Sequence, residues 1–256
     1  MLGDDMAYSD DFQLLKAVRA DILRLKNLFR NEILDKSGGF VYYARKKDGD
    51  TYGIDSLSAT IWLSIVFEIE NALNDLSQES LERLSFCQRR TFFSVRFAME
   101  ATADLLFLEE HPSELEKIVT EKDFHKKLHD LNGIENLAER DKKVSYALRH
   151  ENEFSVQTSK RIEEYFMGNG LTKYAILCLF THNNDLGNEL FSRKSEKEYL
   201  ELYYQATSVL IMIIEKLAQY MLRHDSFGAS SERLKELTKD LRHLVILLYN
   251  YLSPDL

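Results

Sequence analysis

Glycine and proline are scarce in this 256-residue chain, numbering 10 and 2. That shortage excludes collagen-like, disordered and turn-rich all-β chains, and it leaves a mostly helical protein. Cysteine is scarcer still for the length: Cys87 and Cys178 stand far apart in apolar helical contexts and make neither a disulfide framework nor a zinc cluster. Both read as small core residues. Long apolar runs are missing too, since the most apolar stretch, 209–214, is six residues, against the roughly 20 that a membrane span needs. Residues Met1 to Asp5 carry neither a basic nor an apolar leader pattern, so a cytoplasmic location is expected. Positive charge is in deficit: 33 Lys and Arg face 42 Asp and Glu, for a net −9. Such a field repels polyanions and argues against nucleic-acid binding.

What is present is helical periodicity. Phe12, Leu15, Val18, Ile22, Leu25, Phe29 and Ile33 recur at three- and four-residue spacing, which predicts an amphipathic N-terminal helix over 9–37, with Ser9 as N-cap and Gly38 as its stop. Residues 40–45 and 51–54 flank Lys47, Asp48, Gly49 and Asp50, and the Asp-Gly pair predicts a small β-hairpin over 40–54. Helices are expected over 57–76 and from Glu79 towards Pro112, both largely buried. Residues 112–150 are more charged and read as peripheral helices. Two shorter helices, 159–167 and 171–181, are separated by Gly168, Asn169 and Gly170. Ser195 and Glu198 form a capping-box pattern. The face Tyr199, Tyr203, Ala206, Leu210, Ile214, Leu217, Met221 then continues towards Phe227 and Gly228, and a last helix covers 231–252. With no repeat and no low-complexity linker, the expectation is one all-α domain over 1–256, a helical bundle carrying a hairpin appendage.

The segment 91–108 is apolar almost all round, yet Arg96, Glu100 and Asp104 recur at four-residue spacing and share one face. Two readings stay open. Such residues can form a polar cleft in which a guanidinium holds a phosphate or carboxylate while the carboxylates handle protons. They can equally form a structural ion-pair ladder or a solvated edge. Upstream, Arg83, Arg89 and Arg90 make the same helix locally basic and offer an anion a place to dock. His182, in the polar run Thr181, His182, Asn183, Asn184, Asp185, suits a general acid or base with Asn183 or Asp185 orienting its ring, or a plain C-terminal helix residue facing the dipole. His125 and His129 have the spacing of a helix-borne metal site, but Lys122, Lys126 and Lys127 crowd them, and a solvated face without metal is expected. His129 with Asp130 resembles the metal-binding pair of HD phosphohydrolases, without the upstream histidine that would complete it. No Gly-rich phosphate loop, nucleophile elbow or zinc-finger spacing is present, and no cofactor is expected.

The arrangement of Arg96 and Glu100 on an apolar helix, followed by Thr181 and His182 after a later one, resembles a broad group of bacterial all-helical proteins that is reminiscent of the HEPN helical proteins. That resemblance implies a helical scaffold, a place in bacterial defence or stress systems, and convergence of Arg96, Glu100 and His182. The HEPN nuclease signature, Arg followed after four to six residues by His, does not occur in this chain. The 15 Phe and 13 Tyr supply amphipathic area of the kind interface cores use. The function expected is therefore a self-associating binding or regulatory module with room for a protein partner. The alternative is a hydrolase or nuclease-like enzyme acting on a phosphate-bearing substrate.

Overall fold

A computed structural model describes residues 10–37, 56–78, 81–117, 136, 139, 156–181, 195–224 and 231–253. Among these residues the chain is all-α and contains no strand. The hairpin expected over 40–54, the cap at Ser9, the stop at Gly38 and nearly all of 118–155 lie outside the described residues.

Helix α1 (Asp10–Phe29) runs into a π-helical turn, Arg30–Leu34, and residues 35–37 continue it. Its stripe is the one the spacing predicts: Leu15, Val18, Ile22, Leu25, Phe29 and Ile33 are all buried. The π turn also carries Glu32 inward, where Lys36 Nζ at 2.5 Å and Arg233 Nη1 at 3.5 Å offset its charge. Helix α2 (Ser56–Leu76) packs antiparallel on α3 (Leu81–Glu110) across a short connection. Helices α4 (Thr158–Tyr165) and α5 (Gly170–Thr181) are joined by a turn in which Gly168, at φ 80°, takes a left-handed conformation that a side chain would strain. The two longest remaining elements are α6 (Glu196–Arg223) and α7 (Ser231–Leu252).

Several boundaries depart from those expected. The segment beginning at Pro112 is a 3-10 turn, Pro112–Lys117, rather than the start of an α-helix. Helix α6 opens on the predicted capping box, with Ser195 and Glu198 bonding reciprocally, but it stops at Arg223 rather than reaching Phe227. The stop has a tertiary cause: His224 leaves helical geometry and its Nε2 lies 2.8 Å from Glu109 Oε1 on α3. Cys178 is half-buried rather than a core residue.

The 30-residue α3 is the hub, packing against α2, α4, α5 and α6. It can do so because Phe92, Val95, Ala98, Met99, Ala103, Leu105 and Leu106 occupy several faces at once, and small residues among them admit close neighbours. Phe92 stacks on Phe180 of α5 with ring centroids 4.2 Å apart. On the other side, Trp62 of α2 is fully buried, stacks on Tyr220 of α6 and donates from Nε1 to Ser37 Oγ at 3.0 Å. One indole thus joins α1, α2 and α6. We expect Trp62→Ala to destabilise the fold by about 3–5 kcal/mol, the range for truncating a large buried aromatic. Urea unfolding followed by circular dichroism measures it, and a loss under about 1 kcal/mol would contradict this packing.

Candidate functional site

A polar seam runs along the side of α3 that faces α4 and α5. At its upper end Arg96 donates from Nε to Glu100 Oε1 at 2.8 Å, one helical turn away, and from Nη1 to Thr181 Oγ1 at 2.8 Å, at the last residue of α5. Thr181 can accept this bond because its own hydroxyl donates back to Leu177 O at 3.0 Å. Tyr174 donates from its hydroxyl to the same Glu100 oxygen at 2.7 Å, and the Arg96 guanidinium carbon lies 5.9 Å from the Tyr174 ring centroid. Burial, and then the bond to Glu100, push the Tyr174 hydroxyl well above the usual phenol range. For Arg96, burial is the largest single influence and works against the charge, but the bond to Glu100, its negative charge and smaller contributions from neighbouring groups together outweigh it, and the guanidinium holds its proton more firmly than usual.

Asp104, the third residue of the predicted stripe, turns to a different partner. Arg161 of α4, only 4% exposed, reaches Asp104 Oδ1 from Nε at 2.8 Å and from Nη2 at 2.7 Å. Nη1 donates to Val156 O and Nη2 also to Thr158 Oγ1, so each of the three guanidinium nitrogens has an acceptor. Arg161 also stands 5.8 Å from the Phe107 ring centroid. The sequence pattern missed this residue because it sits in a mixed run, Lys160 to Glu164, that looks like an ordinary solvated face. A signal was there: Arg161 falls beside Ile162 and four residues before Tyr165, on the stripe that the short helix buries.

Further along α3, Tyr165 donates to Glu110 Oε2 at 3.0 Å, and Arg223 grips Glu109 from Nε at 3.0 Å and from Nη2 at 2.6 Å. His224 completes the set on Glu109. The Arg-His pair at 223–224 therefore closes the end of α6 onto α3.

Among the residues singled out from sequence, Arg96 and Glu100 meet each other and the end of α5, while Asp104 is drawn to α4. Arg89 lies exposed on α3, and its neighbour Arg90 engages the buried Asp75 of α2. His182 and Asn183, which directly follow Thr181, and His125, His129 and Asp130 lie outside the described residues. Among the described residues no cluster of His, Cys, Asp and Glu could hold a metal ion, and no helix is long and apolar enough to cross a membrane. Compared with family models, with curated proteins and with solved structures, the chain matches none.

Two carboxylates of this seam, Asp104 and Glu109, titrate in opposite directions. Burial raises Asp104, and Arg161 only partly offsets it, so the folded state binds that proton more tightly than the unfolded chain. Its contribution is favourable at low pH and is lost as pH rises through the raised value. For Glu109, burial also pulls upward, but the bonds from Arg223 and His224 win and hold it below the usual carboxylate range. Its contribution is present above the unfolded value and is lost as pH falls through the lowered one. We therefore expect Glu109→Gln to flatten the acid-side loss of stability, and Asp104→Asn to remove the opposing gain. Denaturant midpoints measured between about pH 3 and about pH 7 test this; parallel curves for wild type and both variants would refute it.

Proposed function

We propose that this chain is an intracellular, cytoplasmic helical binding or regulatory module that associates with a second copy of itself. The observation that carries this reading is the outer face of the α2–α3 pair. Phe67 on α2 is 56% exposed, and Phe93 on α3, 55% exposed, is followed one turn later by the exposed Phe97. Large aromatics on adjacent helices make an apolar surface of the kind that marks association sites. A second copy suits it because a two-fold contact sets the exposed Phe67, Phe93 and Phe97 of one copy against those of the other. The closure of Arg161, Asp104 and Glu109 in internal pairs further favours a binding module over a catalyst. The resemblance to HEPN helical proteins extends the reading to a bacterial defence or stress system, with a protein partner and without nucleic acid.

Light scattering on the eluting protein tests the association. We expect a dimer mass for wild type and a monomer mass for Phe93→Ser/Phe97→Ser, with unchanged helicity. A wild-type monomer across micromolar concentrations would sink the proposal.

One contact favours a second reading. The bond from Arg96 to Thr181 brings Arg96 and Glu100 to the residue immediately before His182. In a hydrolase or nuclease-like enzyme, Arg96 would clamp an anionic group, Glu100 would hold Arg96 in place and His182 would move a proton. Hydrolysis of a chromogenic phosphodiester should then fall at least about 100-fold in His182→Ala. No turnover by the wild-type chain would end this reading.

A further inference from the structure

Lys173 is placed where a lysine is physically unwelcome. It belongs to the buried stripe of α5, with Gly170, Leu177 and Phe180, and is itself only 7% exposed. It also stands in the first turn of α5, the positive end of the helix dipole, where a cation is disfavoured. Buried ammonium groups are ordinarily matched by a carboxylate. Here the polar contacts are a neutral amide and an aromatic face: Nζ donates to Gln205 Oε1 at 3.1 Å and lies 4.5 Å from the ring centroid of Tyr204, both on α6. No carboxylate contributes to its electrostatics, and the acids of the α3 stripe are engaged by other groups, Glu100 by Arg96 and Tyr174, and Asp104 by Arg161.

The surroundings also provide an approach. The Tyr204 ring that faces the amine lies 6.1 Å from the ring of Tyr249 on α7, which is 42% exposed, so one further ring separates this site from a residue open to solvent. Desolvation, with no anion to oppose it, lowers the affinity of this amine for its proton.

We infer that Lys173 is a nucleophilic amine that condenses with small aldehydes or ketones at the α5–α6 seam, with the Tyr204 ring facing the resulting cation and the Gln205 amide orienting the nitrogen. In this step the neutral amine nitrogen attacks the carbonyl carbon and a C–N bond forms. The nitrogen gives up its two protons, the carbonyl oxygen takes up two, and the C–O bond breaks to release water and leave an imine; a further proton from solvent makes it an iminium ion. The face of the Tyr204 ring then opposes the charge that forms on that nitrogen.

Reductive methylation of the full folded chain tests the inference. With limiting formaldehyde and cyanoborohydride, which delivers hydride to any imine formed, peptide mapping reads the rate at each lysine. At neutral pH Lys173 should be modified faster than the exposed Lys160, Lys197, Lys235 and Lys239, because its lowered proton affinity leaves a larger share of the amine free. The advantage should shrink as pH rises and the exposed lysines lose their protons. Gln205→Glu, which supplies the missing carboxylate, should slow Lys173 to the rate of the exposed group, and Lys173→Met should abolish labelling of that peptide alone. If Lys173 is modified more slowly than the exposed lysines at neutral pH, it is a packing residue and the inference is overturned.

Discussion

The carboxyl end of α2 is the point on which the arrangement of the other long helices depends. A helix ends with backbone carbonyls that have no partner within it, and burying them unsatisfied is costly. Here the donors come from three different helices. Tyr203 of α6 donates to Leu76 O at 2.7 Å, Arg19 of α1 donates from Nη2 to Gln78 O at 2.6 Å, and Arg90 and Thr91 of α3 bond the buried Asp75. Each donor is held by the packing of its own helix, so satisfying this one terminus sets the positions of α1, α3 and α6 around α2 together. The Trp62 indole does the same one end further along, through Ser37 and Tyr220.

From that frame follows the division of labour on α3. It packs on α2 and α6, sets Phe92 against α5 and leaves Phe93 and Phe97 exposed, while its polar stripe is turned to α4 and α5 and, at Glu109, to the end of α6. Charges in such a seam persist only when paired, and they are paired by groups from whichever helix arrives at that level. Arg96 and Glu100 meet the end of α5, Asp104 meets Arg161, Glu110 meets Tyr165 and Glu109 meets the end of α6. The seam is thus the means by which the short helices are docked. At its upper end, beside Thr181, the Arg96 and Glu100 side chains keep partial access to solvent, as Asp104 and Glu109 do further along. Lys173, across α5, is the exception to this pairing, and it is the exception that gives the α5–α6 seam a chemistry of its own.

Much of the fold could be read directly from the chain, because helical periodicity is a local property. The stripes of α1 and α6, the span of α7 and the capping box at Ser195 and Glu198 depend on side chains within a few turns of one another, and the chain writes them out in order. The grouping of Arg96, Glu100 and Asp104 on one face follows from the same 3.6-residue geometry. What that geometry leaves open is which side chain answers each charge. Arg161 is 57 residues from Asp104, Tyr174 is 74 from Glu100 and His224 is 115 from Glu109, and nothing near any of them in the chain marks the partner.

The sequence by itself determined an all-α chain, the apolar faces of its long helices and the existence of a charged stripe on the most apolar of them, since each rests on spacing and composition alone. Tertiary structure decided that the stripe would be divided between two short helices, that α6 would end at His224, and that Lys173 would be buried opposite an amide and a tyrosine ring. These outcomes depend on which helices lie side by side, and a periodic pattern states that a helix has a buried face without stating what is buried against it.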